Sequence, residues 1–201
     1  MLEKDDMVDL IRACAAVIEA HADELTELDS AIGDGDHGYN MKRGFEALRA
    51  DADVISDKPL PDALTAAGMK LVMTVGGASG PLFGTFLMSF GKELNSGMDT
   101  AGIASAFAKA TDAVAARGKS HAGQKTMLDV LYPVSKALTD GISGRAIGDV
   151  AEAAAEATIP IVATRGRASF LGERSAGHMD PGSRSSALLV RSVTDWLERR
   201  A

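Results

Sequence analysis

Between Met7 and Leu25 the apolar residues Met7, Leu10, Ile11, Cys14, Val17, Ile18, Ala22 and Leu25 recur at steps of three and four. That period gathers side chains onto one face only in a helix. The pattern returns along most of the chain, and no segment reads convincingly as a strand. The apolar fraction of 46% comes chiefly from alanine, leucine, valine and methionine, with only 4% aromatic residues, which suits packed helices better than sheets. An all-α fold follows as the expectation, and 201 residues fit a single domain over 1–201.

The periodicity predicts about eight helices. The first runs from about Asp6 to Leu28, with Asp5 or Asp6 as its cap; the second begins near Tyr39 and fades in "RADADVISDKPLPDA", a polar connection punctuated by proline. The third spans roughly 61–75, the fourth 82–94, and "NSGMDT" separates the fourth from a fifth over roughly 101–116 that stops at Gly118. The sixth starts at Thr126 and is kinked by Pro133; the seventh spans roughly 146–163 and is kinked by Pro160. A long connection, "RGRASFLGERSAGHMDPGSRSS", then leads to the last helix, about 187–199.

Mostly short connections suggest an eight-helix antiparallel up-and-down barrel or bundle. The second, fourth and sixth connections are ordinary polar turns, whereas the first ("DSAIGDGDHG"), third ("VGGASGP"), fifth ("RGKSHAGQKT") and seventh ("RGRASFLGERSAGHMDPG") are rich in glycine and charge. Odd-numbered connections of such a bundle emerge at one end. Four loops scattered over the sequence are therefore expected to meet at one site.

Asp29, Asp34 and Asp36 are hard oxygen donors crowded into the first of these loops, and a divalent cation would hold them together. Carboxylate donors favour magnesium, and a single cysteine with no clustered histidine argues against zinc. An EF-hand fails on count: starting from Asp34 the twelfth position is Phe45, where a bidentate glutamate is required. The plain alternative is that Asp34 and Asp36 favour a turn and cap a helix. His37, Gly38, Tyr39 and Asn40 stand at a helix start, whose free N–H groups attract anions; His37 equally suits a capping or ligand-orienting role.

"GGASGP" lets backbone approach a ligand closely, but it is no Walker loop, since no strand precedes it and no Gly-Lys-Ser/Thr closes it. Arg117, Lys119 and Lys125 flank the fifth connection, and Arg165, Arg167, Arg174 and Arg184 the seventh. Positive charge at the same expected end points to an anionic ligand, although some of these arginines would equally pair with Glu173 and Asp180 or cap helix C-termini. Met127 suits a purine face or ordinary core packing.

The net charge of −7 argues against a nucleic-acid partner. "MLEKDDMVDL" lacks the basic start and apolar run of a signal peptide, and no apolar stretch approaches the roughly 18 residues of a membrane span, so a cytoplasmic location is expected. The lone Cys14 lies on the first apolar stripe and excludes an intramolecular disulfide.

In order along nearly the whole chain, "LDSAIGDGDHGYNMKRGF", "VGGASGPLFGT", "RGK...G.KTMLDV" and "GRASFLGERSAGHMDPG" resemble the motifs of the ADP-binding L subunit of dihydroxyacetone kinase and the related nucleotide domain of single-chain, ATP-dependent kinases. The resemblance implies an eight-helix barrel with ADP, converted to ATP when phosphorylated, and two magnesium ions at one end. It places the metals on Asp29, Asp34 and Asp36. Nucleotide contacts fall on His37, Gly38, Tyr39, Asn40, Ala78, Ser79, Gly118, Met127, Arg167, Asp180, Pro181 and Gly182. Tyr39 departs from the family, which commonly has a smaller apolar residue there.

As partners the resemblance implies a K subunit carrying dihydroxyacetone or a related ketose, and a phosphohistidine donor, the M-type protein of the phosphotransferase system. It also admits a transcriptional regulator. Two other readings stand beside it: a nucleotide domain that exchanges free ATP, and a non-catalytic nucleotide-dependent binding module.

Overall fold

The computed structural model describes residues 3–94 and 99–200. Among them are ten α-helices and one 3-10 segment, with no strand. The helices are α1 (Lys4–Ala20), α2 (Ala22–Ile32), α3 (His37–Ala50), α4 (Ala52–Ser56), α5 (Leu60–Thr74), α6 (Ser79–Leu94), α7 (Thr100–Gly118), α8 (Leu128–Thr139), α9 (Arg145–Glu156) and α10 (Pro181–Glu198). The 3-10 segment, Arg167–Ser175, lies between α9 and α10.

Each long helix packs on the next: α1 on α3, then α5, α6, α7, α8, α9 and α10, and α10 returns to α1. Eight helices thus close a ring. Inside it Ile18, Leu25, Met41, Phe45, Leu71, Val114, Leu128 and Leu188 form one core, and Val130, Val134, Ile147, Ala151 and Ala187 a second across α8, α9 and α10. Burying each of the larger aliphatic side chains contributes about 1.5–3 kcal/mol, which makes the amphipathic stripes the main stabilising term. Cys14 packs at the edge of the first core, and burial pushes its thiol up to about 11.

Several expected boundaries shift for identifiable reasons. The first helix bends at His21, and its second part, α2, continues to Ile32, so Asp29 sits on a helix rather than in a loop. Asp6 is not the cap: it stands in the first turn and accepts a hydrogen bond from the Glu3 N–H at 3.0 Å. The connection after α3 contains α4, which forms because Ala52 and Ile55 bury against α1. The turn "NSGMDT" lies partly outside the described residues.

α7 is ended by Lys119 in the left-handed conformation, not by Gly118. Pro133 does lie inside α8, but α9 stops at Glu156, before Pro160, whose ring and missing N–H oppose helix. α10 begins six residues earlier than its apolar stripe indicates, because Asp180 caps it, accepting from the Ser183 N–H at 2.6 Å, and Pro181 fills its first position.

α5 and α6 approach so closely that their backbones touch across Gly68 and Gly84. A Cβ on Gly84 would lie 2.6 Å from the Gly68 carbonyl oxygen and 2.4 Å from a Val72 methyl. Gly84→Ala is expected to lower stability by about 2 kcal/mol despite alanine's better helix propensity, because backbone cannot move aside as a side chain can. Urea unfolding should show a lower midpoint with an unchanged slope.

A candidate nucleotide and metal site

The four unusual connections meet at one rim. Their cleft is lined by Asp29, Asp34, Asp36 and His37, by residues 76–79, by Lys125, Thr126 and Met127, by residues 165–168 and by residues 180–182. Ile32, Leu82 and Phe83 supply apolar wall.

Asp29 organises the first connection from the last turn of α2. Its Oδ2 accepts from the backbone N–H groups of Asp36 at 2.8 Å and His37 at 3.1 Å, folding the loop back and fixing the start of α3. Gly35, at φ +72°, makes the reversal, and a Cβ there would lie 2.6 Å from Ser30 Oγ. One carboxylate oxygen from each of Asp29, Asp34 and Asp36 falls within 4.8 Å of the others. An all-oxygen set of this kind fits magnesium, which takes one or two carboxylates and completes its shell with water or phosphate oxygens.

Arg167 Nη1 lies 2.8 Å from Asp34 Oδ2, joining the first and seventh connections. His37 is buried and ties three elements together: Nδ1 is 3.0 Å from Ser79 Oγ at the start of α6, and Nε2 is 3.0 Å from Ser185 Oγ on α10. Burial pulls its pKa below the usual imidazole value against the pull of Asp29 and Asp36. The N-terminus of α6, with Gly76, Gly77, Ala78 and Ser79, faces the cleft and offers partial positive charge.

The other sequence candidates divide. Met127 and Arg167 line the cleft, as do Ala78, Ser79, Asp180, Pro181 and Gly182. Gly38 is turned away, pressed against the Ala22 carbonyl and Thr26 Oγ1 of α2. Tyr39 is 64% exposed outside the lining. Asn40 is buried and its Oδ1 accepts from Arg43 Nη2 at 2.9 Å, while Arg43 Nε donates to the Thr74 carbonyl at 2.8 Å. Gly118 contributes its carbonyl to Arg165, at 3.1 Å from Nε and 2.9 Å from Nη2, rather than a surface to the cleft.

The positive cluster is smaller than its sequence suggests. Arg184 turns to Glu24 of α2 at 2.5 Å, and Arg117, Lys119 and Arg174 lie outside the lining. Lys125 lines the cleft but donates to backbone carbonyls of residues 158–161. Three contributors carried no sequence signal: Ser185, which holds His37; Thr158, whose Oγ1 accepts from the Asp180 N–H at 3.0 Å; and Arg43. Ser185 and Thr158 meet their partners across the fold, and Arg43 links Asn40 on its own helix to the Thr74 carbonyl of α5.

Asp180 is buried at the cleft wall, and that burial pushes its carboxyl up to about 7 against the helping hydrogen bonds from Ser183. The unfolded chain loses this proton near pH 4 while the folded chain keeps it up to about 7, so the ligand-free protein is expected to lose stability as pH rises across that window. Asp180→Asn keeps a capping oxygen and removes the titration. Urea midpoints from pH 4.5 to 7.5 should fall less steeply with pH in that variant, the difference reaching up to about 1.4 kcal/mol per pH unit. His37 acts in the opposite sense, stabilising as pH rises, and is common to both proteins.

Comparison with known proteins gives a consistent assignment. The DAK2 domain matches residues 31–195. The chain is 46% identical over 175 residues to the ADP-binding subunit DhaL of PEP-dependent dihydroxyacetone kinase 1 of Listeria innocua, covering 84% of each. It is 38% identical to the corresponding DhaL subunit of Escherichia coli, covering 96% of each chain. The D-erythrulose kinase of Mycolicibacterium smegmatis is 39% identical over 92% of this chain, which spans 34% of that protein. The fold matches the crystal structure of the dihydroxyacetone kinase of C. freundii with a TM-score of 0.76 at 23% identity, over 94% of this chain and 34% of that one. With its family motif spanning most of its length and full-length relatives well above 30% identity, the chain belongs to the DAK2-domain family, among the DhaL-type subunits.

Proposed function

We propose that this chain is the ADP-binding subunit of a phosphotransferase-system-dependent dihydroxyacetone kinase, relaying a phosphoryl group from a donor phosphohistidine to dihydroxyacetone or a related ketose on a K subunit. The observation that carries the reading is the convergence of three carboxylates, two helix starts and Arg167 on one cleft. The names of the relatives that match over most of their length point the same way: they are ADP-binding subunits of PEP- or PTS-dependent dihydroxyacetone kinases. A K subunit and a phosphorylated M-type donor are the corresponding partners, a transcriptional regulator is a further one, and the cytoplasm is the corresponding location.

The cleft holds a hydroxyl beside an imidazole, Ser79 Oγ 3.0 Å from His37 Nδ1, but phosphoryl transfer does not require a nucleophile of the chain's own, because positioning and charge stabilisation lower its barrier. Asp29, Asp34 and Asp36 would hold magnesium, two ions in this reading, and the bound metal would neutralise phosphate oxygens. The backbone N–H groups at the N-terminus of α6, that of Ser79 among them, would steady phosphate, Met127 and the residues 180–182 would border the base and sugar, and Arg167 would offset charge at the outer rim. The ordered turn at Asp29 fixes these groups before ligand arrives, which lowers the reorganisation cost.

A second reading, a nucleotide domain that exchanges free ATP, draws on the similarity to the D-erythrulose kinase. Native mass spectrometry after gel filtration separates the two: the proposed subunit retains ADP and magnesium, whereas an exchanging domain emerges empty. Asp34→Ala should release metal and nucleotide together and lower transfer in the reconstituted system by on the order of 10²–10³, with helical circular dichroism unchanged. Full retention and activity in that variant would remove Asp34 from the site.

A further inference from the structure

Lys125 is among the most deeply buried side chains in the protein, at 1% exposure, and it sits on backbone with φ +62°. Its Nζ donates to the carbonyls of Thr158 at 2.9 Å, Ile159 at 3.3 Å and Ile161 at 3.0 Å. Those bonds use all three ammonium donors, leaving none for a phosphate. Burying a cation is costly and holds the Lys125 pKa below the usual lysine value; the three carbonyls, and Asp180 once ionised, oppose that cost. The accepting carbonyls belong to the turn just beyond the end of α9, where the Thr158 and Ile159 oxygens also accept from the Ile161 and Gly177 N–H groups, at 3.1 and 2.8 Å.

What that chain does next gives the lysine its purpose. Three residues after Ile161 the Thr164 N–H meets the Gln124 carbonyl at 3.4 Å; Arg165 then grips the Gly118 carbonyl, and Arg167 reaches Asp34. The α7–α8 and α9–α10 connections are therefore stapled to each other at Lys125, Gln124 and Gly118. We propose that Lys125 is a positioning residue: by anchoring residues 158–161 to the α7–α8 connection it sets where Arg167 stands at the cleft, and so the affinity for a magnesium-bound nucleoside diphosphate. The affinity part rests on the nucleotide reading above; the anchoring does not.

Titration calorimetry of Mg-ADP into chain stripped of nucleotide, in a double-mutant cycle, tests this. Lys125→Met should bind roughly tenfold more weakly than the parent, about 1.4 kcal/mol, with unchanged circular dichroism. In an Arg167→Ala background the same substitution should cost less than about twofold, because the group it positions is already gone. Lys125→Arg, which restores donors, should recover part of the loss.

Parent-like binding by folded Lys125→Met, or equal losses in both backgrounds, overturns the proposal. Should Lys125→Met fail to fold, hydrogen exchange on the ligand-free parent decides: the amides of residues 119–127 and 161–168 should open with one common free energy, and independent opening overturns the anchoring. If the parent binds no Mg-ADP while the two segments open together, the nucleotide reading fails and the anchoring stands.

Discussion

Closure of the helix ring is the constraint from which the rest follows. Because α10 packs back on α1, the number of long helices is even, and alternate connections are confined to the same rim. The connections at one rim are free to be short polar turns, while those at the other carry glycine, carboxylates and arginine. Hydrophobic burial thus does two things at once: it stabilises the ring and brings together residues as far apart in sequence as Asp29 and Asp180. None of the site residues has to fold its own scaffold.

Charge balance explains why that rim suits an ionic ligand. Three carboxylates share a small volume, and Arg167 at Asp34 is the guanidinium the structure sets against them. Lys125, which has the right sign, is committed to carbonyls, and Arg184 to Glu24. The remaining compensation is dipolar, from backbone N–H groups donated to Asp29 and from the starts of α3 and α6. The single ion pair at Asp34 does not hold three carboxylates together, which leaves a role for a divalent cation and, in turn, for the phosphate oxygens that share it.

Much of this was legible in the sequence because periodicity and loop composition are local properties. All eight predicted helices are present, and the clustering of Asp29, Asp34 and Asp36 was readable from spacing alone. The losses came where tertiary contact decides. The bend at His21 leaves the hydrogen-bond ladder nearly intact, with the Leu25 N–H on the His21 carbonyl at 2.9 Å, so no residue type announces it. The short helix α4 exists because Ala52 and Ile55 find a neighbour. Gly38 faces α2 rather than the cleft because the phase of α3 is fixed by that packing, and Lys125, one of the positive charges flanking the fifth connection, spends its donors on backbone carbonyls. One miss was avoidable: Asp-Pro at 180–181 is a helix-start signal, and it marks the true beginning of α10.

The bridging imidazole also dictates the hydrogen polarity of a hydroxyl it does not carry. Ser185 Oγ lies 3.1 Å from the Gly182 carbonyl, and when its proton goes there the oxygen accepts from Nε2, the tautomer with the ring proton on that nitrogen. Nδ1 is then bare and takes the proton of Ser79. What Ser79 turns outward is an electron pair, receptive to a metal-bound water or a cation, and the tautomer on one helix has selected the hand that another extends.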